Sequence, residues 1–480
     1  MQRFIAQNIA DKRFIDLELD ITPDGIGEEV SSHGTFSGTI DYEIGSTREN
    51  GRLLLEPWET YLHVEENDRI EHTYLITKSQ VKGDAWHLEA VGFSAYANSQ
   101  DYTGEYRGVQ VDPVDIMRHI WAHMQRPAGG NIGVTVTGSS SVKVGTISDE
   151  DAAEAKAAKD AAKKAKDAKT KQRLAKSNEK KRVVAAHKKT IDGLMKTQER
   201  LIKEGQALSK KPVAPQAQRD AKRKQITEAK AAVKAARTAR DKAVKPLTDQ
   251  YNDLRAEEKV LAAKYKTASE QAKKLAGEAK ANGGAHKILW WDNPDCGQTL
   301  SDALALSGME FIEHSAWNSD KSDIVKQIRV VPRVGRRSPA VFIENENIID
   351  TVVVENTMEG YANSIAVIGA GEGRASLRVT TARPDTRRRK HVSVQAKDVT
   401  SKAVLQRIAD RELAARSRRM SIEGIEVLLD HANAPAGTWG LGDTVDISAD
   451  MAHLGRVDMQ VRITAIKWEP DRAKLSLEAV

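Results

Sequence analysis

A seven-residue repeat dominates residues 226–275, which read ITEAKAAVKAARTARDKAVKPLTDQYNDLRAEEKVLAAKYKTASEQAKKL. One set of seven-spaced positions is apolar apart from Arg240, and its members are Ile226, Val233, Leu247, Leu254, Leu261, Ala268 and Leu275. A second set, offset by four, holds Val244, Tyr251, Tyr265 and Ala272. Two such rows on one side of a helix form a coiled-coil seam. The segment therefore predicts a long helix that packs against another helix.

A second helical segment precedes this one and supplies the partner. Residues 151–209 are rich in strong helix formers, and the seam spacing recurs at Val184, Ile191, Leu194, Leu201 and Leu208. Between the segments, residues 210–216 read KKPVAPQ, and two prolines three apart cannot both lie inside a helix. We therefore predict an antiparallel coiled-coil hairpin over residues 147–283, with its turn near 210–216. Each arm would be roughly 90–100 Å long.

Charge separates this segment from the rest of the 480-residue chain. Residues 151–280 hold 36 Lys and Arg against 17 Asp and Glu, whereas the remainder holds 38 against 51. All eight tryptophans lie outside the segment. Lysine clusters attract phosphates, but no aromatic platform or base-reading motif accompanies them. We therefore favour an acidic protein surface over nucleic acid as the electrostatic partner of the hairpin.

The flanks, residues 1–146 and 284–480, are predicted to be rich in β-strands. The clearest signal is a β-hairpin with its turn near Gly83, because Trp86, Leu88 and Ala90 alternate with polar residues. After Asp112 and Pro113, an apolar stripe predicts one helix. Residues 327–331 and 340–343 are expected to pair as strands. The predicted fold class is α+β and multidomain, with barrel or sandwich domains interrupted by the helical hairpin.

Candidate chemistry is sparse in this sequence. Residues 369–373 read GAGEG, but a strand-like segment follows where a phosphate loop needs a helix. The single cysteine, Cys296, has no partner at a spacing typical of a catalytic dyad. His119 and His123 are four apart, without an evident third metal ligand. We predict no catalytic residue, no cofactor, no metal and no membrane span, and we expect no secretory signal at the start of the chain.

A basic cluster is the one surface patch that the flanks suggest. It consists of Arg387, Arg388, Arg389 and Lys390, close to Arg383 and Pro384. Such a run is typical of an exposed, solvated loop, and it also suits docking onto an acidic neighbour. The sequence is compatible with both a solvated loop and a docking patch.

Several motifs of the flanks resemble minor tail proteins of long-tailed phages of actinobacteria. In the first flank these are Gly83-Asp84-x-Trp86, Gly92-Phe93-x-Ala95-Tyr96, Tyr102-Thr103-Gly104, and Val111-Asp112-Pro113 leading to Ile120-Trp121. In the last flank they are Gly442-Asp443-Thr444-Val445 and the run VRITAI at residues 461–466. The resemblance covers residues 1–145 and 285–480. It does not extend to the helical hairpin.

The resemblance implies a tail hub located in the virion at the tail tip and made in the host cytoplasm. Such proteins are typically homotrimers that close the tail tube, with β-barrel domains assembled from both ends of the chain. Their partners are the distal tail protein, the tape-measure protein and receptor-binding or other tip proteins. DNA would pass through the lumen only in transit. An acidic lumen would repel phosphates and ease that passage.

Two other classes of protein remain open at this point. One is a coiled-coil scaffold unrelated to tails, in which the hairpin is the active part. The other is a tail-associated cell-wall hydrolase, which the absence of a recognisable zinc or Cys-His set disfavours. A measured mass separates the first alternative, because a scaffold should dimerise through its helices. A peptidoglycan-release assay separates the second.

Overall fold

Both ends of the chain belong to one structural unit. In the computed structural model, this unit holds Met1–Ser148 and Ala279–Val480, and Asp149–Glu278 form the other. We call them the strand-rich unit and the hairpin. The structure describes residues 2–210, 215–350, 354–355, 361–371, 373–384, 388–397, 399–417, 421–422, 424–451 and 455–480.

The first flank is built mainly of strands. They are β1 (Gln2–Asn8), β2 (Phe14–Leu19), β3 (Ile21–Glu29), β4 (Thr35–Ile40), β5 (Arg48–Glu49), β6 (Arg52–Leu53), β7 (Thr60–Glu66), β8 (Arg69–Lys82), β9 (Ala85–Gly92), β10 (Glu105–Gly108) and β11 (Val134–Thr137). The helices of this flank are α1 (Tyr42–Ser46) and α2 (Pro113–Gln125).

The chain then forms the two arms of the hairpin and returns to strands. The arms are α3 (Ser148–Ser209) and α4 (Gln216–Asn282). The later strands are β12 (His286–Leu289), β13 (Glu310–Trp317), β14 (Ile324–Val331), β15 (Arg337–Ile343), β16 (Val354–Glu355), β17 (Ser364–Ile368), β18 (Arg378–Ala382), β19 (His391–Gln395), β20 (Ser421–Ile422), β21 (Gly424–Leu428), β22 (Thr444–Met451), β23 (Gly455–Trp468) and β24 (Arg472–Ala479). The later helices are α5 (Cys296–Ser307) and α6 (Lys402–Arg416).

The largest sheet joins strands from both flanks. It has twelve strands, ten of them in the order β15-β22-β23-β3-β4-β9-β8-β7-β1-β2, and β24 pairs with both β23 and β21. The flanks meet where β23 runs antiparallel to β3, with Trp468 opposite Ile26 and Ala465 opposite Glu29. Because these ladder hydrogen bonds connect the last strands to the first, neither flank completes the sheet alone.

Local sequence explains the best-predicted parts of this sheet. The β8–β9 hairpin turns at Gly83, whose φ of +69° lies in the left-handed region that favours glycine. Along β9, Trp86, Leu88 and Ala90 are buried while the residues between them are more exposed. The predicted β-hairpin is therefore confirmed. Each large side chain buried in this way contributes roughly 1.5–3 kcal/mol to stability.

Helix α2 also forms where the sequence predicts it. The Asp112 side chain accepts a hydrogen bond from the amide of Val114, and Pro113 occupies the first turn. These features satisfy the helix start, where backbone amides lack intrahelical partners. The apolar stripe faces the core, and its buried members are Ile116, Met117, Ile120, Trp121 and Met124.

The strand-rich unit is continuous across the point where the hairpin is inserted. The Thr146 amide donates to the Gly284 carbonyl at 2.9 Å, and β10 pairs with β12 so that Gly108 lies opposite His286. Gly145 has a φ of +81°, and a Cβ there would lie 2.2 Å from the Gly108 carbonyl oxygen. A side chain at this position would push these segments apart. The segments on either side of the insertion are thus direct neighbours.

The predicted fold class is confirmed, because the structure is α+β with large sheets and a long helical segment between them. The predicted pairing of residues 327–331 with 340–343 is wrong. Strand β14 pairs with β13 and β11, whereas β15 pairs in parallel with β22. At Gly335 between them, φ is +80° and a Cβ would lie 2.0 Å from the Gly442 carbonyl carbon. This close backbone contact brings the chain alongside β22 instead of folding it back on β14.

Candidate assembly surfaces

Side-chain pairs hold the arms of the hairpin antiparallel. Near the turn, Lys222 of α4 lies 2.8 Å from Glu204 of α3. Far from the turn, Lys169 lies 2.6 Å from Glu257, and Arg173 pairs with Glu258. Partners that come earlier in α3 therefore come later in α4. Residues 211–214 of the predicted turn lie outside the described residues.

The predicted seam residues differ in how far the opposite arm covers them. Ile191 and Val233 are both 6% exposed. Most of the others are partly buried, namely Leu194, Leu201, Leu208, Ile226, Leu247, Leu254, Leu261 and Leu275. In a two-helix hairpin, seam side chains keep one side open, because only one neighbour covers them. The hairpin therefore offers a partly apolar seam to any partner that packs on it.

Val184 is the exception among the predicted seam residues, because it is 37% exposed. This exposure argues against its expected place in the seam, which stays a prediction. Reading α3 backwards from Ile191, the next covered residues are His187 and Val183, each four residues from the last. The regular coiled-coil spacing, which alternates three and four residues, resumes at Lys180. In α4, Ala236, Arg240 and Val244 show the same double step. An inserted step of four shifts the seam by one residue, which moves Val184 outward.

Polar contacts support the hairpin where apolar side chains are small. The Thr170 hydroxyl donates to Glu258 at 2.7 Å, and the Arg173 guanidinium lies 5.8 Å from the centre of the Tyr251 ring. Lys166 lies 5.3 Å from the centre of the Tyr265 ring. Such cation–π contacts contribute about 0.5–1 kcal/mol at exposed sites. The two seam tyrosines therefore act as platforms for cations of the opposite arm.

The basic cluster predicted in the last flank is exposed where the structure describes it. Arg388, Arg389 and Lys390 face solvent, and Arg387 lies outside the described residues. The Asn363 side chain accepts from the Lys390 amide at 2.8 Å and donates to the Arg388 carbonyl at 3.3 Å. This clamp fixes the backbone of the patch beside β17 and leaves the cationic groups at the surface. Docking onto an acidic neighbour remains a prediction.

Cys296 lies at the start of α5 and is fully buried. Its amide donates to the Gln100 carbonyl at 2.7 Å, and Asp295 caps the helix by accepting from the Gln298 amide. Burial, with smaller contributions from Asp295 and Asp101, raises the pKa of the Cys296 thiol to about 11. A thiol of this kind is a core residue, because the thiolate is the nucleophilic form.

We expect Cys296 to resist thiol reagents in the folded protein. At pH 8, a pKa near 11 leaves so little thiolate that reaction with a disulfide reagent should be slower than that of a free cysteine by on the order of 100-fold. Absorbance of the released thiolate measures the rate, and the chain's single cysteine makes the signal unambiguous. Urea-unfolded protein is the control and should react fully within minutes. Rapid reaction before unfolding would contradict the buried position.

The other motifs with possible chemistry have structural contacts. Tyr102 Oη lies 2.8 Å from His119 Nε2, and His123 Nε2 accepts from the Thr103 amide at 3.2 Å. Residues 369–373, apart from Glu372, which lies outside the described residues, connect β17 to the antiparallel β18. Within the described residues, no group of three or more metal-ligating side chains converges, and no helix is long and apolar enough to cross a membrane.

An ion pair between two sheets, with one buried and one partly buried member, was not predicted from the sequence. Arg462 of β23 donates to both carboxylate oxygens of Glu310 of β13, at 2.6 and 2.5 Å. The same guanidinium donates to the carbonyls of Gly442 and Val334, at 3.0 and 2.9 Å. A signal was present, because Arg462 interrupts an apolar run between Val461 and Ile463. A charged residue in a buried strand usually has a buried partner.

Comparison with known proteins gives matches only among solved structures. No family model and no curated protein matches the chain. A 43 kDa tail protein of prophage MuSo2 from Shewanella oneidensis aligns over 99% of this chain and 98% of its own length, with 10% identity and a TM-score of 0.45. The baseplate of the p2 virion in its activated conformation gives 99% and 98% coverage, 8% identity and a TM-score of 0.33.

A gene transfer agent particle aligns over 41% of each chain, with 15% identity and a TM-score of 0.27. The MuSo2 and p2 structures are of tail and baseplate proteins.

Proposed function

We propose that this chain is a structural component of a phage tail tip. In finer detail, it would be a hub-like minor tail protein that closes the tail tube and connects it to distal tail, tape-measure and receptor-binding proteins. The observation that carries the proposal is the sheet shared by both flanks, with the hairpin inserted between hydrogen-bonded neighbours. The resemblance of the flanks to minor tail proteins supports the same role.

The strand-rich unit would form the ring of the hub, as a homotrimer. Outside residues 151–280 the chain holds 38 basic and 51 acidic residues, an excess of negative charge. A lumen lined by such a surface would repel DNA during its passage, which suits transit better than binding. The role is architectural, and we propose no catalytic activity for the chain.

The hairpin would be the part that engages neighbours in the tail tip. It carries 36 basic residues against 17 acidic ones over residues 151–280. Its seam side chains are mostly only partly buried, so a helical or acidic partner could cover them. The patch formed by Arg388, Arg389 and Lys390 would be a second contact for an acidic neighbour.

Replacing residues 149–278 with a short Gly-Ser linker should leave the strand-rich unit folded. The Thr146–Gly284 hydrogen bond and the β10–β12 pair lie within that unit and hold the linker ends together. We expect the melting temperature of the unit to change by less than about 5 °C, because closing a short loop costs little. Circular dichroism at 218 nm measures it. Aggregation or unfolding of the deletion variant would refute an insertion between neighbours.

Three measurements test the proposal. Native mass spectrometry of the full chain and of the deletion variant should both give a trimer, because the ring would form through the strand-rich unit. A dimer that disappears with the hairpin would favour the coiled-coil scaffold instead. Release of labelled peptidoglycan by the full chain would favour the hydrolase. Electron microscopy of virions with a gold label at Pro212 would then locate the hairpin, and its absence from the tail tip would refute the proposal.

A further inference from the structure

A cleft of about 600 Å³ lies in the strand-rich unit, where the largest sheet meets the sheet that contains β13. Most of its lining residues come from three chain segments: residues 27–29 of β3, residues 68–74 at the start of β8, and residues 312–317 of β13. This volume is within the range of sites that bind small molecules or short peptide segments. The cleft has no part in the functions proposed above.

Strand edges, and not strand faces, line this cleft. Consecutive residues contribute from each strand, whereas a cleft on the face of a sheet would be lined by alternate residues. β13 pairs with β14 on one side, and within the described residues no strand pairs with its other side. In β8, residues 69–73 pair with β7, while the pairing with β9 begins at Tyr74. Both strands therefore present a backbone edge to the cleft.

On β13, the backbone amide and carbonyl groups of alternate residues point away from β14 and toward the cleft. The carbonyl of Phe311 accepts from the Ser31 amide at 2.9 Å, so its polar groups face away from β14. Alternate residues of an antiparallel strand direct their amide and carbonyl groups to the same side. Those of Glu313 and Ser315 consequently point toward the uncovered edge. An extended segment lying along this edge could pair with them as an added strand.

The acidic residues that line the cleft favour a bound segment with positively charged side chains. Its acidic lining residues are Glu28, Glu29, Asp68, Glu71 and Glu313, and burial raises the pKa of Glu313 to about 7. Among the described lining residues, Arg69 is the one fixed cation. Glu29 and Glu71 are exposed at its mouth. No convergent group of metal ligands exists among the described residues, so the carboxylates are spread along the cleft and do not enclose one small ion. A row of spaced positive charges matches this arrangement better.

One of the residues that line the cleft, Ser315, carries a buried polar atom without a partner among the described residues. Ser315 is 5% exposed, and within the described part of the chain its hydroxyl oxygen has no hydrogen-bond partner. Leaving a buried hydroxyl unsatisfied costs about 1–3 kcal/mol, so such groups are rare unless a ligand or water completes them. Because Ser315 belongs to the same edge as Glu313, a bound strand would pass beside both residues.

We propose that this cleft binds an extended segment of another protein that carries lysine or arginine side chains. The segment lies along the free edge of β13 as an added strand, and its cations face Glu29 and Glu71. The inference rests on the cleft alone and holds whether or not the chain belongs to a tail.

The probe is a fluorescein-labelled (Lys-Thr)4 peptide, and the readout is fluorescence anisotropy with the full chain. Glu29→Lys combined with Glu71→Lys should weaken binding at least tenfold. The matched control is Glu43→Lys combined with Glu105→Lys, which changes net charge equally at exposed sites outside the cleft and should leave affinity within twofold.

Hydrogen exchange separates an added strand from simple charge attraction. With the peptide bound, the amides of Glu313 and Ser315 should exchange at least tenfold more slowly, whereas spermine, a cation without backbone groups, should not protect them. Failure of the peptide to bind would overturn the proposal. So would equal loss of affinity in the two double variants, or binding that leaves both amides unprotected.

Discussion

Replacing Arg462 by methionine should lower the free energy of unfolding of the strand-rich unit by about 3–5 kcal/mol. Methionine fills a similar volume but leaves the Glu310 carboxylate, which is mostly buried, without its cation. It also removes the donor to the carbonyls of Gly442 and Val334, which lie on loops beside β22 and β15. The loss follows from stranding a buried charge, and so it exceeds the loss expected from breaking a surface ion pair.

Urea unfolding followed by tryptophan fluorescence measures this loss, since all eight tryptophans lie in the strand-rich unit. Arg456→Met is the matched control, because Arg456 lies on the same strand with its side chain 68% exposed. We expect that variant to remain within about 0.5 kcal/mol of the original. Combining Arg462→Met with Glu310→Leu should recover most of the loss, because the stranded carboxylate is removed as well. Equal losses in both arginine variants would contradict the buried ion pair.

The effect of Arg462→Met should also shrink in acid. Burial acts to raise the pKa of Glu310, but hydrogen bonds from Arg462 and the Val334 amide outweigh it and hold the pKa below the ordinary 4.5. A depressed pKa contributes stability above the unfolded-state value, and this contribution is lost as pH falls through the folded-state value. The unfolding free energies of the two proteins should therefore converge below pH 4.5. If the difference in unfolding free energy between the two proteins stays constant down to pH 3, the charge of the Glu310 carboxylate is not its cause.

Replacing Ile191 by aspartate should destabilise the hairpin by about 3 kcal/mol or more. Ile191 is 6% exposed in the seam, where a carboxylate would lose its hydration without gaining a partner. The matched variant is Val184→Asp, seven residues earlier on the same helix. Because Val184 is 37% exposed, that change should cost less than about 1 kcal/mol. Sequence periodicity alone predicts equal losses, so the pair of variants tests the shift of the seam directly.

Thermal unfolding of the full chain at 222 nm reports on this pair of variants, since α3 and α4 supply most of the helix signal. Ile191→Asp should lower the helical transition by more than 10 °C, while Val184→Asp should lower it by only a few degrees. A third variant, Thr190→Asp, adds the same single negative charge at an exposed position of the same helix and so controls for the change of charge. If Val184→Asp proves as harmful as Ile191→Asp, the seam passes through both residues and the double step of four is wrong.

Features coded by neighbouring residues could be predicted, and features created by distant contacts could not. The hairpin, α2 and the β8–β9 turn depend on spacing, a cap and a glycine within short stretches of sequence. Strand β13 was missed because its segment EFIEHSAW does not alternate between apolar and polar residues, and seven of its eight residues are partly buried whichever face they lie on. Its pairing with β14 and the parallel pairing of β15 with β22 depend on partners that local patterns do not specify.

The candidate sites also contain some features that are visible in short stretches of sequence and others that depend on distant contacts. The basic patch was visible as a run of cations, but its anchoring by Asn363 joins residues about 25 positions apart. The position of Val184 could not be predicted, because an inserted step of four leaves the apolar letters looking like an unbroken heptad row. The acidic cleft combines segments near residues 28, 71 and 313, none of which has a distinctive composition by itself.

The hydrogen bond from Thr146 to Gly284 has a consequence for how this protein can evolve. Because the chain leaves and rejoins the strand-rich unit between adjacent residues, paired heptads can be gained or lost in α3 and α4 without changing that unit. Each paired heptad alters the reach of the hairpin by about 10 Å. Selection can therefore change the length of the hairpin in fixed increments while the sequence of the sheet stays the same.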